Sequence, residues 1–353
     1  MFILKRLGFL FALAIIFSSC SEDFKVAAPY KTITLVYGLM NPGDTAHYIR
    51  IEKAFLDENK SAITMAQVAD SSFYSNITVH LKELIGSIVL TDEILTRVDL
   101  NAEGYTKDTG AFFQSPNYAY KSKHTLTPGN TYRLVIKNQQ TGQVDSSETA
   151  IIDNQASPPP QGFIINEFYS SYQLVFPSLH PSDQLKISTR GVPNNAKVFQ
   201  AIIRFHWVDV DGSKETDHSA DFTVGSTAWD GVSASVTMST NQSAVYNFLR
   251  DNIGTAPINV KRYIDSCDLI VWAGSKDMYD YQQINDVQGG LTADEIKPIY
   301  TNIKSSVAGN ALGLYTCRAM TQYHNVPINE QTLDSIETSS VTIGLNFQGR
   351  SDH

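Results

Sequence analysis

Apolar and polar residues alternate with period two along most of this chain, the pattern of half-buried β-strands. Ile33, Leu35 and Tyr37 interleave with Thr32, Thr34 and Val36. Beyond the turn Asn41-Pro42-Gly43-Asp44, Ile49 and Ile51 interleave with Arg50 and Glu52, so the two arms predict a hairpin. Ile77, Val79 and Leu81 repeat the pattern, as do Tyr132, Leu134 and Ile136 before a turn at Gly142. Short strands punctuated by turn residues predict a β-sandwich over residues 31–152.

The run Leu126-Thr127-Pro128-Gly129-Asn130-Thr131-Tyr132-Arg133-Leu134 resembles the late strands of immunoglobulin-like modules, which makes the expected sandwich immunoglobulin-like. Pro158-Pro159-Pro160 holds an extended backbone that cannot continue a sheet, so residues 153–162 read as a Pro-rich linker. Residues 163–353 then read as a second, antiparallel α+β domain. Its strand from Phe199 to Val210 turns at Asp211-Gly212, a favoured hairpin dipeptide. Val232, Ala234, Val236 and Met238 alternate with polar residues, and strands are expected at 268–273 and 312–319. One packed helix is predicted, with Thr240 or Asn241 as N-cap, Val245, Phe248, Leu249 and Ile253 on one face, and Gly254 closing it. The stretch 276–310 is rich in Tyr, Asn, Asp and Gly and reads as a link.

The first residues follow a different rule. Lys5 and Arg6 precede an apolar run from Leu7 to Phe17 and then Ser18-Ser19-Cys20. This is the layout of a signal peptide over residues 1–19, its apolar core too short to span a bilayer. Small residues before a cysteine resemble the bacterial lipobox, whose cysteine is acylated and becomes the N-terminus; Phe17 departs from the usual aliphatic. Lipidation of Cys20 would anchor the chain through residues 20–30, and the acyl chains would make the anchoring effectively permanent. Ser21-Glu22-Asp23 resembles an acidic export tract of surface lipoproteins, so the expected location is the outer membrane, with its outward or periplasmic facing left open.

Composition sharpens this reading. Seventeen Tyr and seventeen Phe among 353 residues, with abundant Ser and Thr, suit an all-β envelope protein. The formal charge of −9 carries no basic stripe, which argues against nucleic acid. Beyond Cys20 the only cysteines are Cys267 and Cys317, read either as one disulfide or as two buried thiols.

Leu35-Val36-Tyr37-Gly38-Leu39, Tyr48-Ile49-Arg50-Ile51, Met278-Tyr279-Asp280-Tyr281, Tyr300-Thr301-Asn302-Ile303 and Gly309-Asn310-Ala311-Leu312-Gly313-Leu314-Tyr315 together resemble Bacteroidota lipoproteins of the domain of unknown function four-two-four-nine type. The resemblance covers most of the mature chain, although a single Gly309 stands where a glycine pair is usual. It implies an accessory role beside a TonB-dependent transporter barrel.

Candidate chemistry is sparse. Asp209, Asp211, Glu215 and Asp217 cluster at a turn but lack the fixed offsets of a calcium loop and read as a polar hairpin. The histidines form no zinc motif; His80 reads as solvated, and of His206 and Trp207 one must face outward. There is no Gly-x-Ser-x-Gly elbow and no cofactor motif, so a binding protein is expected rather than an enzyme, with a hydrolase the minority reading. Trp272, Tyr279, Tyr281 and Tyr300 offer either sheet packing or a glycan-stacking surface. Asp44-Thr45-Ala46 and Asp334-Ser335-Ile336 resemble O-glycosylation tripeptides.

Overall fold

The expected hairpin opens the fold: β1 (Lys31–Met40) and β2 (His47–Leu56) pair antiparallel around the Asn41 turn. The structure, a computed structural model, describes residues 31–56, 62–110, 112–153, 173–189, 191–257, 259–287 and 300–348. The signal peptide, Cys20 and its tether, most of the Pro-rich linker and the start expected for a second domain lie outside the described residues.

Two short helices, α1 (Ala62–Ala66) and α2 (Ala69–Ser72), lead to β3 (Ile77–Ile85), β4 (Ile88–Ile94), β5 (Thr96–Asp99), β6 (Tyr118–Ser122), β7 (Thr131–Asn138) and β8 (Val144–Ala150). The C-terminal part adds β9 (Gln184–Ser188), the long hairpin β10 (Val198–Asp211) and β11 (Lys214–Ala228), β12 (Thr237–Asn241), α3 (Gln242–Ile253) and β13 (Lys261–Gly274). Then come α4 (Lys276–Val287), β14 (Lys304–Ser305), β15 (Ala311–Pro327) and α5 (Glu330–Thr338). The protein is mainly β, built from antiparallel sheets with few helices. No helix among the described residues is long and apolar enough to cross a membrane.

The sandwich is present, but residues 31–152 do not complete it alone. Among the described residues an eight-stranded sheet runs β11-β10-β13-β15-β1-β2-β6-β5, and a five-stranded sheet runs β14-β8-β7-β3-β4. Strands from beyond the Pro-rich segment therefore enter both sheets. The division at 153–162 is corrected accordingly: β1 and β15 lie side by side in parallel, Val36 opposite Gly313 and Tyr37 opposite Leu314. A parallel neighbour needs a long crossover, and here most of the chain is that crossover. Local alternation does not reveal it.

Gly313 makes the pairing close. It has φ of +122°, and a Cβ there would lie 1.9 Å from the Val36 carbonyl oxygen. Val36, Met40, Ile49 and Ile51 from one sheet bury against Val79, Leu81, Tyr132, Leu134 and Ile136 from the other. In the C-terminal part, Phe199, Ala201, Ile203 and Phe205 of β10 point inward beneath the two-stranded β9–β12 sheet and α3, where Phe176 meets Phe205 and Tyr246 edge-on. The α3 boundaries match the expectation, with Asn241 before it and Gly254 at φ +71° after it. Periodicity does not announce the two helices after it. In α5 the Asn329 side chain accepts the Gln331 N–H at 2.9 Å. In α4 the half-buried apolar residues are Met278, Tyr279 and Ile284, a set without regular helical spacing, which hides the period.

Gly313→Ala is expected to lose more than about 3 kcal/mol, since both the backbone conformation and the Cβ clash oppose it. Urea unfolding monitored by tryptophan fluorescence and by circular dichroism checks this. An unchanged midpoint would remove Gly313 from its structural role.

Candidate functional site

The face of the eight-stranded sheet opposite its core bears a cleft of about 650 Å³. Alternation along β1 sends Val36 and Met40 into the core and leaves Tyr37 and Leu39 out, with exposures of 48% and 37%. Across the parallel register lie Leu314 and Thr316 of β15, and next along that strand Arg318. β2 contributes Tyr48 and Arg50, β10 contributes Gln200, and β13 contributes Trp272. Helix α4 closes one side with Met278, Tyr281 and Gln282.

The helix is seated by its first turn. Buried Ser275 donates its backbone N–H to the Cys317 carbonyl, and its hydroxyl bonds Thr316 Oγ1 at 2.5 Å. Gly274 leaves room for Met278, whose sulfur would stand 2.5 Å from a Cβ at that position. Tyr300 packs edge-on against Tyr281 at 6.4 Å and donates its hydroxyl to Asp277 at 2.6 Å. Burial and the Asp277 carboxylate push the Tyr300 phenol pKa upward. The Tyr37 phenol is also raised, by burial first and then by Tyr281 and Glu52.

Two arginines reach the cleft and differ in their bonding. Arg50 donates to Glu52 at 3.0 Å and to Asn117 at 2.6 Å. The Arg318 guanidinium sits over Trp272, its carbon 4.2 Å from the ring centroid, and the side chain makes no hydrogen bond or ion pair among the described residues; its Nε is buried and unsatisfied.

Of the four aromatics that sequence singles out, Trp272 and Tyr281 line the cleft and Tyr300 supports it from behind. Tyr279 instead sits near Lys197. Sequence gives no such signal for Tyr37, Tyr48, Arg50 and Arg318. Tyr37 reads as an ordinary strand residue, and only the pairing of distant strands places it beside Arg318.

The remaining candidates serve structure. Asp209 is held by the buried Arg262 through two bonds of 2.7 and 3.0 Å, while Asp211 and Glu215 belong to the β10–β11 turn region. Among the described residues no group of carboxylates, histidines and cysteines is arranged to hold a metal ion. Trp207 faces inward and stacks on His218, leaving His206 to meet Asp268 at 3.3 Å. Burial works against the Asp268 charge, yet the Asn325 N–H, His206 and His324 hold its carboxyl pKa below the usual range. His80 is bonded to Asp92 at 2.9 Å rather than freely solvated. The Ser335 hydroxyl is occupied by the Pro177 carbonyl and Ile336 is buried, so the second glycosylation tripeptide is folded away.

Cys267 and Cys317 are separate buried thiols, which decides against the disulfide. Cys317 lies beside Ser275, so Cys267 is about 26 Å away along β13 at roughly 3.3 Å per residue, far beyond the ~7 Å limit for a bridge. Burial raises both thiol pKa values, that of Cys317 to about 12. A thiol reagent should therefore label neither residue in the native protein and both in urea without reductant, counted by intact mass. Protection that persists in urea would mean a bond.

A profile described as Domain of unknown function (DUF4249) matches residues 22–322. No curated protein matches the chain. Among solved structures, the C-terminal globular domain of an oligosaccharyltransferase from Pyrococcus abyssi is similar at 12% identity and a TM-score of 0.21, over 66% of this chain and 44% of that one. CBD12 from CALX1.2 is similar at 8% identity and a TM-score of 0.13, over 84% of this chain and all of the other. Superpositions this loose carry no functional argument.

Proposed function

We propose, on the premise that the chain belongs to the family Domain of unknown function (DUF4249), that it works by binding rather than by catalysis, as a lipid-anchored outer-membrane protein that holds a glycan in its sheet-face cleft. The observation that carries this reading is the cleft itself. Its volume suits a ligand of a few rings, and Tyr37, Tyr48, Trp272 and Tyr281 bring aromatic surface to it. Gln200 and Gln282 add amide partners of the kind sugar hydroxyls need. The anchor rests on the Lys5–Cys20 sequence pattern.

Full-length protein in detergent, applied to a glycan array, is expected to retain a restricted set of glycans, and Trp272→Ala to lose them. An array that stays blank, or a variant that binds as before, would defeat the glycan reading. Separately, Cys20→Ala should move the protein from the membrane to the soluble fraction, and a variant that remains membrane-bound would end the lipid-anchor proposal.

A second reading, an accessory subunit on a TonB-dependent transporter-type barrel, is favoured by β4. Among the described residues this strand is one of the two edges of the five-stranded sheet. It exposes Ile88, Val89, Leu90 and Ile94 with the neighbouring Ile85, Ile88 being 66% exposed. Its charges, Asp92 and Glu93, lie toward the far end of the strand, and exposed apolar side chains at the near end mark an interaction surface. Affinity purification from solubilised outer membrane is expected to recover a β-barrel partner, and the double variant Ile88→Asp, Ile94→Asp to lose it. Recovery of the lipoprotein alone would count against this reading.

A further inference from the structure

We infer that the cleft selects a carboxylated oligosaccharide, a glycan bearing uronic acid groups, and that Arg318 is the residue that anchors its carboxylate. The inference rests on the glycan reading above and narrows it to one ligand class.

The bonding of the arginines carries the argument. Arg50, Arg97, Arg133, Arg204, Arg250 and Arg262 each donate to a carboxylate, a side-chain amide or a backbone carbonyl. Among the described arginines Arg318 alone does not. Arg318 is half-buried in the cleft wall, with its Nε buried and unsatisfied and its two terminal nitrogens free of any protein acceptor among the described residues, in a chain of net charge −9 where carboxylates are plentiful. Stacking on Trp272 satisfies the face of the group but none of its N–H donors. Holding the guanidinium on the Trp272 face also limits how its donors can turn, and the planar fork suits two coplanar oxygens. A carboxylate matches that fork and its single charge. No lysine lines the cleft to share the second charge of a phosphate. Gln200 and Gln282, on the flanking strand and helix, are placed for the hydroxyls of the same sugar rings.

The test is calorimetric titration of the full-length protein in detergent with trigalacturonate and with the neutral galactotriose of the same linkage. The acidic sugar is expected to bind about tenfold or more tightly than the neutral one, as a charged hydrogen-bonded pair would give. Arg318→Gln should erase that preference, so that the two sugars bind alike, and Arg318→Lys, which keeps charge and stem without the fork, should retain part of it. Circular dichroism establishes that each variant is folded, and the lysine variant serves if the glutamine one is not. Equal binding of the two sugars, a preference that survives Arg318→Gln, or displacement of trigalacturonate by millimolar inorganic phosphate overturns the carboxylate assignment and leaves the glycan reading standing. Binding of neither sugar overturns the assignment; a blank array as well removes the glycan reading with it.

Discussion

The fold depends on one contact between distant parts of the chain, the parallel seam between β1 and β15. Seven residues of each strand pair there, from Thr34 with Ala311 to Met40 with Cys317. Every other long strand of the large sheet is reached from this pair: β2, β6 and β5 on one side, β13, β10 and β11 on the other. Gly313 lets the backbones approach, and the buried Tyr315 lies two residues on in the core. The segments by which the chain resembles its family, around Leu35–Leu39 and Gly309–Tyr315, are these two strands.

The same seam makes the cleft. With Val36 turned inward, Tyr37 must turn outward, and the register sets Leu314 beside it and Thr316 beside Leu39. Trp272 and Arg318 arrive from the adjoining strand pair, in which Gly274 faces Arg318 and Trp272 faces Met320. The site thus draws on both ends of the described chain and on the helix that comes after β13. Tyr37, Tyr48 and Trp272 sit on regular strands whose inward faces are packed, which holds these side chains in place before any ligand arrives.

What can be read from sequence is what local chemistry decides. Alternation locates the strands, Gly254 ends α3, and Asp211-Gly212 turns the long hairpin, because each answers to neighbouring residues alone. Trp207 and His206 divide between inside and outside as adjacent strand positions must. The independence of two domains does not survive, because Pro158-Pro159-Pro160 announces an interruption in regular structure and says nothing of what pairs across it. The disulfide is undecidable from sequence for a related reason: spacing carries no register, and register separates Cys267 from Cys317. Arg318 is invisible as a candidate, since its significance lies in the partners it lacks.

Synthesis order gives the seam a temporal meaning. β1 is among the first strands made and β15 among the last, so an emerging chain holds the middle of its large sheet open until residues beyond Cys317 have emerged. Until then Val36, Met40 and the edge of β1 have no neighbour on that side, and contacts of such sequence separation form slowly. The topology thus sets the order of assembly: the large sheet can be completed only from its last strand, whatever forms before it.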